Sequence, residues 1–470
     1  MGTTQRVASF IVNTRYEDVP QPAIEMAKLC LLDVIGCALY ASTRPAGKIM
    51  IDLVEELGGK PVCHVLGTGL KTNAVNAAMV NGMLGHLEDF DDMGNGHQAT
   101  LLMPVILALG EELHSTGNDA LAAYVVGLDV TAYTTISLGS DHYAKGWHQT
   151  STAGTLGCTA AASRLLGLSE MQTRRALGIA SSQAGGLRAA FGTMTKSLHP
   201  ANAARAGVLA AKLAAKGFEG NPEVIEDRFG FFAAFGEHMA QLGNVPRHLG
   251  NPWAIMGQGR DVAKGVTIKP WPCCGITHAS ATVIGGLLKQ HGFKAEDVES
   301  VDMVTTHNPS LMAANIRWPK TPLQGKFSPW YTTASLIVDG KLDLSSFTEE
   351  AFARPAVQEL LKRVNIVQDS AIAGRPHRTL GGQEWWDIAV KLKNGKSIVA
   401  DRLEGHGDAY GWKDRDAVFQ KFMTSAGAVL KQGEIDTALN AVMELEKSDD
   451  IGEMVKLFVP VAEMRRRLIS

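Results

Sequence analysis

The sequence predicts a mainly α protein, in which a large all-helical domain formed by both chain ends carries an inserted, smaller α+β lid domain. Three observations support this. Apolar residues recur at helical spacing from about residue 22 to 217 and again after 414, while two-residue alternation is confined to a stretch between about 265 and 405. The chain has 470 residues, more than one core of about 250 to 300 residues organises. The predicted boundaries are 1–265 plus 406–470 for the helical domain and 266–405 for the lid domain.

The first long helix is predicted over Ala23–Ser42, where Ile24, Ala27, Leu31, Val34, Ile35 and Ala38 fall on helical spacing and Pro20 and Pro22 suit its start. The pattern continues over Asn73–Leu87, Thr100–His114, Asp119–Leu138, Ser151–Leu166, Ser169–Ala184 and Ala201–Lys216. Ser169 and Gln172 form a capping box, and Gly217 is a stop signal after Lys216. Ala201, Ala203, Ala204, Ala206, Gly207, Ala210 and Ala211 crowd the last of these helices, as suits a helix buried within a bundle. Strands are predicted over Ser300–Thr305, Trp386–Leu392 and Ser397–Leu403, with Asn394-Gly395 joining the last two as a hairpin. Helices resume over Asp414–Lys431, Glu434–Lys447 and Asp450–Leu468.

Composition narrows the function. With 45 Lys+Arg against 48 Asp+Glu, a net charge of −3 gives no global reason to expect nucleic acid or an anionic membrane as partner. Six scattered cysteines do not make a disulfide framework, and no apolar run reaches the roughly 18 residues of a membrane span, so a cytoplasmic protein is expected. Glycine, at 49 residues, is in excess of the usual 7%. Yet Gly67-Thr68-Gly69 and Gly257-Gln258-Gly259 complete no nucleotide-binding pattern, and no G-x-S-x-G elbow is present.

The densest polar cluster is His86-Leu-Glu-Asp89-Phe-Asp91-Asp92-Met-Gly-Asn-Gly-His97. Three readings of it stand side by side: carboxylates that cap helix ends near Gly94 and Gly96, a metal site on Asp89, Asp91, Asp92 and His97, or acid/base and orienting groups. His148 precedes a small-residue helix whose N-terminus favours an anion, and Lys196 and His199 precede another. Lys269 lies on a proline-stiffened turn, Lys269-Pro-Trp-Pro-Cys273-Cys274, whose adjacent cysteines lack the CxxC spacing of a redox pair. Together these carboxylates, imidazoles and ammoniums, without a cofactor motif, suit binding a small polycarboxylate and moving a proton next to one of its carboxylates.

At these motifs the chain resembles the MmgE/PrpD family, which includes 2-methylcitrate dehydratases, cis-aconitate decarboxylases and iminodisuccinate epimerases. The matching features are Leu31-Leu-Asp-Val-Ile-Gly36, His86–Asp92, Gly154-Thr-Leu-Gly157 after His148, Thr193-Met-Thr-Lys-Ser-Leu-His199, Lys269–His278 and Lys326-Phe-Ser-Pro-Trp-Tyr331. The resemblance implies a homodimer with a cofactor-free, metal-free site between a helical domain and a lid. It implies a lyase that dehydrates or decarboxylates a citrate- or aconitate-like acid; an iminodisuccinate-type epimerase and a non-catalytic metabolite-binding protein are the alternatives. His97 and His148 are the expected acid/base pair, Asp89 orients one of them, and Lys196 and Lys269 hold carboxylates. Asp92 and His199 join the substrate-binding set, and Tyr331 is expected to close over the substrate. Two positions depart from the family pattern: Cys274 stands where decarboxylases have His and methylcitrate dehydratases Glu, and Met93 where decarboxylases have Thr. Cys274 is a candidate second acid/base group.

Overall fold

In the computed structural model, residues 2–94, 96–236, 249–250, 265–305, 314–368, 387–400 and 414–460 are described. The glycine pair near 257, the predicted strand start at 386, the strand end at 401–403 and residues 461–468 lie outside them.

Helices dominate, as the apolar periodicity predicts. The first group comprises α1 (Thr3–Asn13), α2 (Gln21–Ser42), α3 (Pro45–Leu57), α4 (Ala74–His86), α5 (Ala99–Leu113), α6 (Gly117–Ala144), α7 (Gln149–Leu165), α8 (Glu170–Ser181), α9 (Leu198–Ala215) and the short α10 (Phe231–Phe235). Two short pairings lie among them: β1 (Cys63–His64) with β2 (Lys71–Thr72), and β3 (Asp92–Met93) with β4 (Thr267–Ile268). The strand-bearing segment contributes α11 (Ile276–His291), β5 (Val298–Thr305), α12 (Pro322–Gly325), α13 (Pro329–Asp339), α14 (Glu349–Ala353), α15 (Pro355–Lys362), β6 (Val364–Gln368), β7 (Asp387–Leu392) and β8 (Ser397–Ala400). Its sheet runs β6-β5-β7-β8, with β5 and β6 parallel and the other pairs antiparallel. The chain closes with α16 (Arg415–Ala426), α17 (Gln432–Met443) and α18 (Ile451–Val455).

Local chemistry explains the ends. Ser169 and Gln172 form the reciprocal capping box at the start of α8. The β7–β8 turn is a three-residue loop in which Gly395, at φ 86°, donates to the Leu392 carbonyl and Leu392 donates to Lys396, the geometry of a turn that ends in a left-handed glycine. The predicted helix over Asp450–Leu468 instead breaks at Val459, which is extended because Pro460 follows it. α6 is the one described helix long and apolar enough to cross a membrane, but 83% of that window is buried against its neighbours. The six cysteines are free and buried.

Small residues set the packing. A Cβ on Gly157 would lie 2.6 Å from the Gly127 carbonyl of α6, and one on Gly207 would lie 2.6 Å from Cys158. α7 is thereby held against α6 on one side and α9 on the other at backbone contact. The C-terminal helices return to the start of the chain, where Phe422 of α16 packs over Gly36 of α2 and Lys421 forms a buried 2.7 Å ion pair with Asp33. One large core joins residues from Val19 to Ile268 with residues from Val418 to Phe458, and a second core gathers residues between Cys273 and Ile398 with Met93. Val266 and Ile268 belong to the first core and Met93 to the second, so the β3–β4 pairing stitches the two together.

Gly157→Ala and Gly207→Ala should each lower unfolding stability by about 1–3 kcal/mol through overpacking, whereas Gly433→Ala, where nothing lies within 4 Å, should be neutral or slightly stabilising; denaturant unfolding of the three variants checks this. Lys421→Met should cost about 3–5 kcal/mol, because Asp33, already raised to about 6 by burial, must take up a proton or stay charged without its cation, and the Phe90 and Lys269 carbonyls lose their donor; the Asp33→Leu/Lys421→Met pair should recover only the Asp33 part of that loss in the same unfolding measurement.

Candidate active site

The site is built on a turn between α4 and α5. α4 ends at His86, and the chain reverses through Asp89, which adopts a left-handed φ of 52°. For a residue with a Cβ such a conformation persists only where surrounding contacts enforce it. Four buried lysines do so. Lys196 reaches the Asp89 carboxylate at 2.6 Å, and Lys269 reaches its other oxygen at 3.1 Å and its carbonyl at 2.9 Å. Lys326 binds the carbonyl and carboxylate of Glu88, both at 2.9 Å. Lys421 donates to the Phe90 carbonyl and, at 3.0 Å, to that of Lys269.

The imidazoles interlock with this ion cluster. His86 accepts from Lys196 through Nε2 at 2.7 Å and donates through Nδ1 to Asp91 at 2.9 Å, so its ring is neutral. Burial lowers its pKa to about 3, against the opposing pull of Asp91. His97 directs Nδ1 to the Asp92 carbonyl at 2.8 Å and to Asp91 at 3.2 Å. Both partners only accept, so Nδ1 carries the proton and Nε2, 3.9 Å from Asp89, keeps its lone pair. Burial holds His97 below the ordinary histidine range despite Asp91. His148, at the N-cap of α7, shares a 2.8 Å Nδ1–Nδ1 hydrogen bond with His199, and burial together with Lys196 holds it well below that range too. Burial alone would push the Asp89 carboxyl up, but Lys196 and Lys269 hold it far below the usual carboxylate range. Lys269, opposed by burial, is raised by Asp89 and Asp91.

These groups face an open cavity of about 290 Å³ between the two cores. Asp89, His97, His148, Lys196, Lys269 and Cys274 line it, together with Gln149 and Thr150 at the start of α7 and Gly275 and Ile276 at the start of α11. Six residues singled out in the sequence therefore converge. The helix N-termini that reach the cavity are those of α7 and α11; α9 begins too late, after a 3-10 turn over Met194–Ser197, for its own end to do so.

Three expected substrate contacts are displaced. Asp92 points away and caps α5, accepting from the backbone of Gln98 at 2.8 Å and Ala99 at 2.9 Å. His199 lies behind His148 and positions it. Tyr331 is fully buried in the second core, where its hydroxyl donates to the Ser346 carbonyl at 2.5 Å and burial raises its pKa to about 12. Reasoning from sequence also misses the structural roles of His86 and Lys421; Lys421 sits in a helix whose sequence gives no sign of burial. The metal reading changes as well. His86, Asp89, Asp91 and His97, and not Asp92, offer donor atoms within 4.8 Å of one another, but the Lys196 ammonium already lies against Asp89 and His86 at 2.6 and 2.7 Å. The His86 lone pair is thereby used, and Asp89 is already neutralised by a cation of the chain itself.

Residues 5–241 match the MmgE/PrpD N-terminal domain and residues 271–446 the MmgE/PrpD C-terminal domain. The chain is 30% identical to cis-aconitate decarboxylase of Mus musculus, over 97% of this chain and 93% of that protein. It is 28% identical to cis-aconitate decarboxylase of Homo sapiens, over 97% and 94%. It is 23% identical to the mitochondrial 2-methylcitrate dehydratase of Yarrowia lipolytica, over 97% and 89%. With both domain models matched in order and the six cavity residues on the motifs that first suggested it, the chain belongs to the MmgE/PrpD family.

Proposed function

We propose that the protein is a cofactor-independent lyase that removes water or carbon dioxide from a small di- or tricarboxylic acid after abstracting a proton beside a carboxylate. One observation carries this reading: two buried ammoniums share a single carboxylate at the cavity wall, Lys196 at 2.6 Å and Lys269 at 3.1 Å from Asp89. Their second counter-charge, Asp91, lies behind His86 and His97 and does not line the cavity, so the wall itself presents two ammoniums for one carboxylate. A substrate carboxylate supplies the second, aided by the N-terminus of α7 or α11. The curated relatives, named as decarboxylases and a dehydratase, support the lyase class.

The same charges stabilise the enolate that forms when the proton leaves, an effect that is usually the largest catalytic contribution. His97 is the base, since its Nδ1–H is engaged and its free Nε2 lone pair lines the cavity. The proton that His97 takes is returned to the leaving group or product carbon by the imidazolium so formed, directly or relayed through the neutral His148, which His199 braces. The segment 266–405 acts as a lid over the helical domain of residues 1–265 and 406–470: its first residues, Val266 to Lys269, stay with the helical core, and Cys274 with the start of α11 closes the cavity.

Incubation with cis-aconitate, citrate and 2-methylcitrate in D2O, followed by NMR, tests the reading: a new unsaturated or decarboxylated acid is expected. Solvent deuterium entering an acid without net elimination points to epimerisation, and binding without any product to a non-catalytic protein; either overturns it. Lys196→Ala should lower kcat by about a hundred- to thousandfold while the fold persists, because Asp89 keeps Lys269 as partner; turnover and melting temperature are the two readouts. The pH dependence follows from the imidazoles. Their folded pKa values lie below 6.5, so the basic forms persist to lower pH than for an ordinary histidine. The acid limb of kcat/KM should therefore fall below pH 6.5, and Lys269, raised from 10.5, should impose no basic limb near neutrality.

A further inference from the structure

Tyr143 is a cavity residue that none of these roles absorbs. Its position depends on an interruption in α6. Gly139 adopts φ 71° and ψ −178° inside the helix, so the last turn is re-aimed toward the cavity, and Gly146, at φ 100°, ends the redirected segment. That short segment is fixed on three sides. His142 directs Nδ1 to the Phe235 carbonyl at 2.8 Å and Nε2 to the Thr152 hydroxyl at 2.7 Å, which anchors the turn that carries Tyr143. The backbone N–H groups of Arg188 and His148 donate to the carbonyls of Gly146 and Gly186, at 2.9 and 3.0 Å, and so lace the segment's far end to 186–188. The Arg188 guanidinium then lies 3.8 Å over the Tyr143 ring and donates to the Tyr143 carbonyl at 2.9 Å.

So much bracing holds a phenol at a cavity whose lining includes the apolar or weakly polar Met93, Phe191, Cys274 and Ile276 as well as the ammoniums and imidazoles. Burial raises the Tyr143 pKa to about 12, against the pull of Arg188, so the hydroxyl remains a donor at every working pH.

We infer that Tyr143 is a further substrate-contacting residue, whose phenolic hydroxyl donates a hydrogen bond to an oxygen of the bound acid and fixes that acid's orientation independently of the Lys196–Lys269 pair. The inference rests on the proposed carboxylate-binding function. A donor in addition to the ammonium pair favours acids with a second oxygen-bearing group, such as another carboxylate or a hydroxyl, over monocarboxylates.

Tyr143→Phe tests it, because it retains the ring, the Arg188 stack and the backbone bond and removes only the hydroxyl. With cis-aconitate, citrate and 2-methylcitrate as probes, kcat/KM for the acid that the wild type uses best should fall about ten- to hundredfold, the loss of one hydrogen bond to a charged group. KM should carry most of that change, and the melting temperature should be unaltered. If the wild type binds an acid without turning it over, the same comparison is made on Kd, with the same loss expected. A variant within twofold of the wild type on these measures overturns the assignment. Failure of the underlying function has a different signature: the wild type neither converts nor is thermally stabilised by any of the three acids, and the assignment of Tyr143 to an acid then falls with it.

Discussion

Four buried ammonium groups converging on one reverse turn are the constraint around which this protein is organised. Lys196, Lys269, Lys326 and Lys421 come from distant parts of the sequence, yet each binds an atom of Glu88, Asp89 or Phe90. Burying a charge is unfavourable unless it is paired and hydrogen-bonded, so each lysine fixes the segment that carries it as well as the turn. Lys421 ties in the C-terminal helices, Lys269 the junction after the first core, and Lys326 the second core. The left-handed conformation of Asp89 is the local cost of a turn that satisfies all four.

The helical scaffold makes that convergence possible through its small residues. Backbone-level contact between α6, α7 and α9 at Gly127, Gly157 and Gly207 brings His148 at the head of α7 beside Lys196, just ahead of α9. Larger side chains would separate these helices and pull the imidazoles from the ammoniums. Glycine thus serves close packing at these three positions and, at Gly139, breaks a helix so that its last turn takes a new direction.

Burial sorts the titratable groups by role. The imidazoles are kept neutral by burial and neighbouring ammoniums, while Asp89 and Asp91 are kept ionised by the cations and rings around them. The cavity wall thus combines ammoniums held by ionised carboxylates with imidazoles held in their neutral form. Cys274, raised by burial, adds a neutral thiol to the same wall.

Much of this was legible in the sequence. Helical periodicity, the Ser169–Gln172 box and the Asn394-Gly395 turn are local signals, written in neighbouring residues, and the polar motifs ahead of helices marked Asp89, His97, His148, Lys196, Lys269 and Cys274. What the sequence could not settle was direction and partnership. Asp92 and Asp89 are indistinguishable in a run of acids, but backbone N–H groups of α5 claim one and two lysines the other. Tyr331 lies in a fitting motif, yet its hydroxyl is taken by the Ser346 carbonyl, a bond fifteen residues long in sequence and invisible to any spacing rule. Lys421 resembles a surface lysine on an ordinary helix until α16 is laid on α2. Local patterns determine which elements form and which residue types a site has; only the tertiary structure decides which of them meet, because buried polar atoms take whatever partner the packed chain brings within reach.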